Sequence, residues 1–192
     1  MISKSIQNDK QTSKTHSLIQ DAFLSLAKEK SFEDITVKDI SKKAPVNRST
    51  FYAHFQDKYD LLDSFISDSF MSIVSSRINS AKTLNEETLH DLILIMCDYH
   101  KSIGTNYTRL YKSAAVLIDI KVQLKLQDII LSMLMNNKTF SKNEEDKLEL
   151  LTVMISSGIY CATKRWHNKD TSLLVKEVLP FMISGLKSTI EM

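Results

Sequence analysis

Apolar residues recur along this chain at the spacing of α-helices. Between Thr15 and Lys30 they stand one or three positions apart, which places them on one face of a predicted helix. That face comprises Leu18, Ile19, Ala22, Phe23, Leu26 and Ala27. A second apolar stripe predicts a helix from Asp57 to about residue 80. Further amphipathic helices are predicted at about 85–103, 106–118, 120–136, 143–167 and 171–187.

Two short segments between the first and second of these helices carry helix start signals. Thr36 is followed by Asp39 at the third helical position, which is the pattern of a capping box. Asn47, before Arg48, is a second N-cap residue. Two short capped helices joined by a turn predict a helix-turn-helix, whose second helix enters the DNA major groove.

Glycine and proline are scarce. The chain holds three glycines and two prolines, and no glycine precedes Gly104. Folds rich in β-hairpins need more of these residues in their turns, and no sustained alternation of apolar and polar residues occurs here. The sequence therefore predicts an all-α protein.

Basic residues are concentrated in the predicted helix-turn-helix. The whole chain has a formal net charge of only +2. Between Thr36 and Lys58, however, five Lys or Arg residues stand against two Asp residues. A local positive field of this kind suits a phosphate-binding surface. Composition alone leaves open an alternative, a solvated basic face over a small hydrophobic core.

The second short helix divides into an inner and an outer face. Phe51 and Phe55 are four residues apart, so both are expected to point inward. The outward or flanking positions are Arg48, Ser49, Tyr52 and His54. Arg48 can bind guanine with two hydrogen bonds or contact a phosphate, and His54 can also be a plain helix-end residue. Lys58 stands where a new helix begins, a position that suits a phosphate.

The stretch between His16 and Leu62 resembles the TetR/AcrR family of transcriptional regulators. It reads "LIQDAFLSLAKEKSFEDITVKDISKKAPVNRSTFYAHFQDKYDLL" from Leu18 onward. The most specific pieces are "ITVKDISKKA" and "VNRSTFYAHFQDK". The resemblance implies a homodimer with a three-helix DNA-binding head and a larger helical body. The body would dimerise through its last two long helices and respond to a small-molecule or protein effector.

The same resemblance implies where each function lies. Residues 1–58 would form the helix-turn-helix DNA-binding domain, and residues 59–192 the regulatory and dimerisation domain. The expected partner is double-stranded DNA with a pseudo-palindromic operator, and the expected role is that of a cytoplasmic repressor. By motif position, the DNA contacts would be Thr36, Lys38, Asn47, Arg48, Ser49, Thr50, Tyr52, His54 and Lys58.

One residue departs from the family pattern. The turn usually reads Ala-Gly-Val, but here it is Ala44-Pro45-Val46. Proline restricts φ to about −65° and biases the residue before it away from the helical region. We therefore expect the first short helix to end at Lys43 and the turn to be built differently from that of the relatives.

The body offers candidate residues for two further functions. An effector pocket could be lined by Met96, Tyr99, Tyr107, Tyr111, Met133 and Trp166, although at helical spacing such residues also serve as core. A dimer seam could be formed by Ser157, Gly158, Cys161, Ala162, Leu179, Met182, Ile183 and Leu186. A buried pair of helices within one chain is the rival interpretation of that seam.

Other classes of function lack support in the sequence. The histidines form no HxxxH pair, so no metal site is expected, and no cofactor motif is present. Cys97 and Cys161 form no CxxC and are expected to be buried thiols. No apolar run spans a bilayer, and no nucleophile with a paired base is evident, so we expect neither a membrane protein nor an enzyme. The alternative function is a helical adaptor or coactivator that binds another protein and does not use its DNA head to read sequence.

Overall fold

The computed structural model describes residues 2–78, 83–136 and 145–166, together with the single residues 176, 180 and 184. These ranges contain seven α-helices and no β-strand. The helices are α1 (Ile2–Glu29), α2 (Val37–Lys43), α3 (Arg48–His54), α4 (Lys58–Arg77), α5 (Glu86–Asn106), α6 (Thr108–Asn136) and α7 (Glu145–Trp166). The predicted all-α fold is confirmed.

Two elements differ from the sequence-based prediction, and a third predicted element lies largely outside the described residues. α1 begins at Ile2, well before Thr15. The two helices predicted at 106–118 and 120–136 form the single element α6, which is interrupted at Ala114, where φ is −130° and ψ is 20°. The helix predicted at 171–187 lies outside the described residues, apart from three single positions.

The chain divides into two compact units. Unit 1 comprises Met1–Ile66 and Tyr107–Ile118, and unit 2 comprises Ser67–Asn106 and Asp119–Met192. The helix-turn-helix therefore shares unit 1 with the first part of α6. The domain boundary expected after residue 58 marks the end of the sequence motif and stays a prediction.

Unit 1 is built around aromatic rings. Phe23 on α1, Phe32 in the following loop and Phe51 on α3 are almost completely buried. The rings of Phe23 and Phe32 meet edge to face, 6.1 Å between centroids. Phe55, just after α3, lies 5.8 Å from Phe51. Truncating a buried phenylalanine to alanine costs about 3–5 kcal/mol, so these rings are a major anchor of α3.

In unit 2, polar contacts between α6 and α7 show the relative direction of the two helices. Tyr160 on α7 donates to the carboxylate of Asp119 on α6 at 2.7 Å, and Lys164 forms an ion pair with the same carboxylate. Gln123 donates to Ser157 at 2.9 Å. Since higher numbers on α6 meet lower numbers on α7, the two helices are antiparallel. A bilayer-crossing segment needs about 20 apolar residues, and none of the helices in the described part of the chain provides one.

Candidate nucleic-acid interface

The start of α2 is fixed by the predicted capping box. Thr36 accepts a hydrogen bond from the Asp39 N–H at 3.2 Å, and the Asp39 carboxylate accepts from the Thr36 N–H at 3.2 Å. Hydrogen bonds from Thr36, assisted by Lys30 at 3.2 Å, lower the pKa of Asp39. The stabilisation is therefore present above the ordinary pKa of aspartate and is lost as pH falls through the lowered value.

The start of α3 is capped by Asn47, also as predicted. Its side-chain oxygen accepts from the Thr50 N–H at 2.7 Å and from the hydroxyls of Ser49 and Thr50 at 2.6 and 2.8 Å. Both hydroxyl protons therefore point toward Asn47. In this arrangement Ser49 and Thr50 present oxygen lone pairs outward, which suit the amino groups of adenine or cytosine.

The turn between α2 and α3 is a Schellman-type helix ending with proline at its left-handed position. α2 ends at Lys43, as predicted, with Ala44 as the C-cap. The Val46 N–H donates to the Ser41 carbonyl at 3.1 Å, which is the six-to-one bond of this motif. Pro45 takes the place that glycine usually occupies, with φ of 24°. The expected φ near −65° is therefore wrong, since closing the six-to-one bond turns the backbone toward the left-handed region.

Replacing Pro45 by glycine is expected to raise the free energy of unfolding by about 1–3 kcal/mol. The proline ring favours a φ of about −65°, so the observed backbone is strained. Glycine relieves that strain and supplies an N–H that can complete the five-to-two bond to Lys42. Its greater entropy in the unfolded chain offsets only about 0.5–1 kcal/mol. Urea unfolding followed by circular dichroism measures the change.

Ala44→Gly is the matched control for this prediction. Ala44 has φ of −82° and is buried, so glycine there relieves no strain and removes a packed methyl group. We expect that variant to be less stable than the wild type. A loss of stability in Pro45→Gly as well would show that proline suits this turn.

The outer face of the helix-turn-helix is basic and exposed. Arg48 and Ser49 open α3 on its solvent side, and Tyr52 is 57% exposed, whereas Phe51 is buried behind them. On α2 the exposed cations are Lys38, Lys42 and Lys43. Six of the nine predicted DNA contacts are thus exposed on the two short helices or at their caps, namely Thr36, Lys38, Asn47, Arg48, Ser49 and Tyr52.

The His54 side chain is partly buried within unit 1. It is half-buried, and its ring centroid lies 6.4 Å from that of His16 on α1 and 6.3 Å from that of Phe55. The His16 Nε2 lies 3.1 Å from the Ser64 hydroxyl on α4. His54 therefore helps to seat the end of α3, and its predicted DNA contact stays a prediction.

Lys58 holds the loop that precedes α2. Its ammonium donates to the backbone carbonyls of Phe32, Glu33 and Ile35 at 2.9, 2.8 and 3.0 Å. It also lies 4.9 Å from the centroid of the Phe32 ring. An ammonium has three N–H donors, so these carbonyls occupy all of them. The phosphate contact predicted for Lys58 stays a prediction, and it would require breaking these bonds.

Sequence reasoning missed two residues that hold the same region. Arg109 donates to the Glu29 carbonyl at 2.9 Å, and Ser113 accepts from the Phe32 N–H at 2.9 Å. Both lie on α6, far from the helix-turn-helix in sequence, and no local sequence pattern predicts such contacts.

The six predicted pocket residues are divided between the two units, and their pocket role stays a prediction. Tyr107 and Tyr111 belong to unit 1, where the Tyr107 ring packs 5.3 Å from that of Phe65. The other four belong to unit 2, and Met96 is completely buried. Met133 also borders a cavity that is lined by described residues.

That cavity lies in unit 2 between α4 and α6 and has a volume of about 610 Å³. Its lining comprises Met71, Val74, Ser75, Ile78, Lys125, Asp128, Ile129, Ser132 and Met133. Apolar walls with a few charged and hydroxyl groups, at this volume, are typical of small-molecule sites.

The dimer candidates fall into two groups. On α7, Gly158 and Cys161 are exposed, whereas Ser157 and Ala162 are half-buried. Leu179, Met182, Ile183 and Leu186 lie outside the described residues. α7 also exposes Leu150, Val153 and Met154 on the same side, so its outer face is apolar over several turns.

The two cysteines differ in their surroundings. Cys97 is buried, and that burial, followed by the nearby Asp98 charge, raises the pKa of its thiol to about 11. Cys161 is exposed, so the expectation that it is buried is wrong; it lies on the outer face of α7. Within the described ranges, no three His, Cys, Asp or Glu side chains are placed to bind a metal ion together.

Three comparisons with known proteins bear on this interface. The family model described as "Bacterial regulatory proteins, tetR family" matches residues 19–65. The chain is 34% identical over 89 residues to the uncharacterized HTH-type transcriptional regulator YxbF of Bacillus subtilis (strain 168), a match over 46% of this chain and 23% of that protein. The chain thus spans about a quarter of that relative's length. The solved structure of the dihydroxyacetone kinase operon activator DhaS superposes with a TM-score of 0.55 at 18% identity, covering 91% of this chain and 97% of that one. At that identity the likeness concerns the fold.

Proposed function

This chain is a member of the tetR family of bacterial regulatory proteins through residues 19–65, and from that premise we propose that it is a homodimeric regulator of transcription that binds double-stranded DNA. The observation that carries the proposal is the solvent-facing side of α2 and α3. Two capped helices there expose Lys38, Lys42, Arg48 and Tyr52 over a buried aromatic core. This is the arrangement that a helix-turn-helix needs to enter a major groove.

A dimer is proposed because of the geometry of DNA. Two identical recognition helices read two half-sites on the same side of a duplex when they stand about 34–36 Å apart. A two-fold symmetric protein then matches a pseudo-palindromic operator. The exposed apolar face of α7 supports a body that pairs with a second copy.

Arg48→Ala is expected to weaken binding to a preferred duplex about 30-fold or more, because each bidentate contact to a base contributes about 1–3 kcal/mol and the dimer loses two of them. The duplex is one that the wild-type protein selects from a random-sequence pool, and binding is measured by fluorescence anisotropy at several salt concentrations. If Arg48 contacts a phosphate instead, the salt dependence falls by about 1.8 in log–log slope for every sequence, since the dimer loses two contacts. If Arg48 reads a base, the variant loses its preference at one base pair of each half-site.

Lys101→Ala is the matched control for Arg48→Ala. Lys101 is exposed on α5, so its removal takes away the same charge outside the helix-turn-helix and outside the exposed face of α7. Unchanged binding in Arg48→Ala would contradict the assigned contact. If the wild-type protein selects no duplex and instead captures a stoichiometric protein partner, the adaptor function replaces the proposal.

An effector is proposed to bind in the cavity between α4 and α6. Met71, Val74 and Ser75 line it from α4, the helix that begins at Lys58 beside the helix-turn-helix. A ligand that favours one position of α4 would change the spacing of the two recognition helices. A coupling free energy of about 1–3 kcal/mol suffices for such control.

Repression is the proposed direction of control, with the bacterial cytoplasm as the place of action. A dimer bound across a promoter excludes polymerase, and release by the effector restores transcription. A reporter gene placed behind the selected duplex tests the direction. Higher reporter output in cells that contain the protein would show activation and contradict this part of the proposal.

A further inference from the structure

The first turns of α6 hold the segment that leads into α2. The Arg109 guanidinium donates to the carbonyl of Glu29, the last residue of α1, at 2.9 Å. Two residues into the following loop, the Ser31 hydroxyl binds Asp34. The Phe32 N–H then donates to the Ser113 hydroxyl oxygen at 2.9 Å. All these residues belong to unit 1, so α6 contributes to the domain that carries the helix-turn-helix.

The same segment is held from a second helix. Lys58 on α4 donates to three of its carbonyls, the last of them that of Ile35. Ile35 directly precedes Thr36, which caps α2. The position at which α2 starts is therefore fixed by a loop whose backbone is bound by α4 and by α6.

We infer that Arg109 and Ser113 are positioning residues for DNA binding, although they lie outside the segment that matches the family model. They fix the backbone at Glu29 and Phe32 and thereby the position of α2 beside α3. The inference rests on the proposed DNA-binding function. Ala114 directly follows Ser113 and interrupts α6. Both residues therefore lie on the part of the helix that precedes the interruption.

Arg109 could instead act on DNA through its charge alone. Lys112 separates these possibilities, because it is exposed in the same part of α6 and takes no part in the loop contacts described above. A charge effect would weaken binding in Arg109→Ala and Lys112→Ala alike and would lower the salt dependence in both. Positioning predicts an effect in Arg109→Ala only, with the salt dependence unchanged.

The experiment measures binding of the variants to the duplex that the wild-type protein selects. Arg109→Ala and Ser113→Ala are each expected to bind about fivefold more weakly, since a smaller fraction of molecules has α2 seated for binding. Lys112→Ala is expected to bind as the wild type does. Ser113→Thr keeps the hydroxyl acceptor and is expected to restore most of the affinity.

Amide hydrogen exchange at Phe32 adds a readout that general destabilisation does not produce. In Ser113→Ala, exchange at Phe32 should rise while exchange at core amides of α5 stays unchanged. Wild-type binding in both Arg109→Ala and Ser113→Ala would overturn the inference, as would equal weakening in Lys112→Ala. If the wild-type protein selects no duplex, the proposed function fails; unchanged exchange at Phe32 in Ser113→Ala would show separately that the loop contact does not hold.

Discussion

Lys58→Met is expected to lower the free energy of unfolding by about 2–4 kcal/mol, since hydrogen bonds from a charged donor contribute about 1.5–3 kcal/mol and a buried carbonyl left without its partner adds to the loss. Methionine keeps the length and apolar stem of the side chain but removes the ammonium. The carbonyls of Phe32 and Ile35, both part-buried, lose that donor. Urea unfolding without DNA measures the change.

Lys42→Met is the control for this prediction. Lys42 is exposed on α2, and substitutions at such surface sites change stability by no more than about 0.5 kcal/mol. The family pattern implies a different result for Lys58→Met: little loss of stability, but a fall of about 1.8 in the salt slope of DNA binding as each protomer loses one phosphate contact. That outcome would show that the ammonium serves DNA and not the loop.

The caps of α2 and α3 could be predicted because the signals are local. Thr36 and Asn47 each bond to a group within three residues, so the sequence alone contains both partners. The inward direction of Phe51 follows from helical periodicity in the same way. Fold class and the helix-turn-helix therefore follow from the order of residues over short distances.

The supports of the loop before α2 could not be predicted in this way. Lys58 meets Phe32 across 26 positions, and Arg109 meets Glu29 across 80. Such contacts depend on which helices pack together, and neither periodicity nor composition encodes that. The φ predicted for Pro45 was wrong for a related reason, because the helix ending in which this residue lies overrides the local preference of proline.

The predicted effector pocket shows a third limit. Residue type suggested aromatic and methionine side chains, but type does not reveal that α6 contributes to both units. Tyr111 and Met133 both lie on α6 but belong to different units, which divide this helix between Ile118 and Asp119. The cavity between α4 and α6 is lined in part by α4 residues such as Val74, which the apolar stripe of that helix predicted as core.

Gly158→Arg is expected to convert the proposed dimer to a monomer and to weaken DNA binding about 100-fold or more, because the two half-sites would no longer be bound together. Gly158 lies on the apolar outer face of α7, one helical turn from Met154 and from Cys161. A Cβ added there meets no atom of the described residues within 4 Å apart from the backbone of its own helix, so we expect the monomer to accept a side chain at this position. In a symmetric seam, two guanidinium groups would be buried together, and burial of an unpaired ion costs several kcal/mol.

Gly104→Arg is the matched control for the dimer. Gly104 is exposed on α5, and a Cβ added there also meets no atom of the described residues within 4 Å apart from the backbone of its own helix. Light scattering after size exclusion gives the mass, which should be twice 22.0 kDa for the wild type and Gly104→Arg and a single 22.0 kDa for Gly158→Arg. A dimeric Gly158→Arg would place the seam elsewhere than on this face of α7. A wild type of 22.0 kDa would contradict the homodimer itself, and recognition of two half-sites would then require assembly on the DNA.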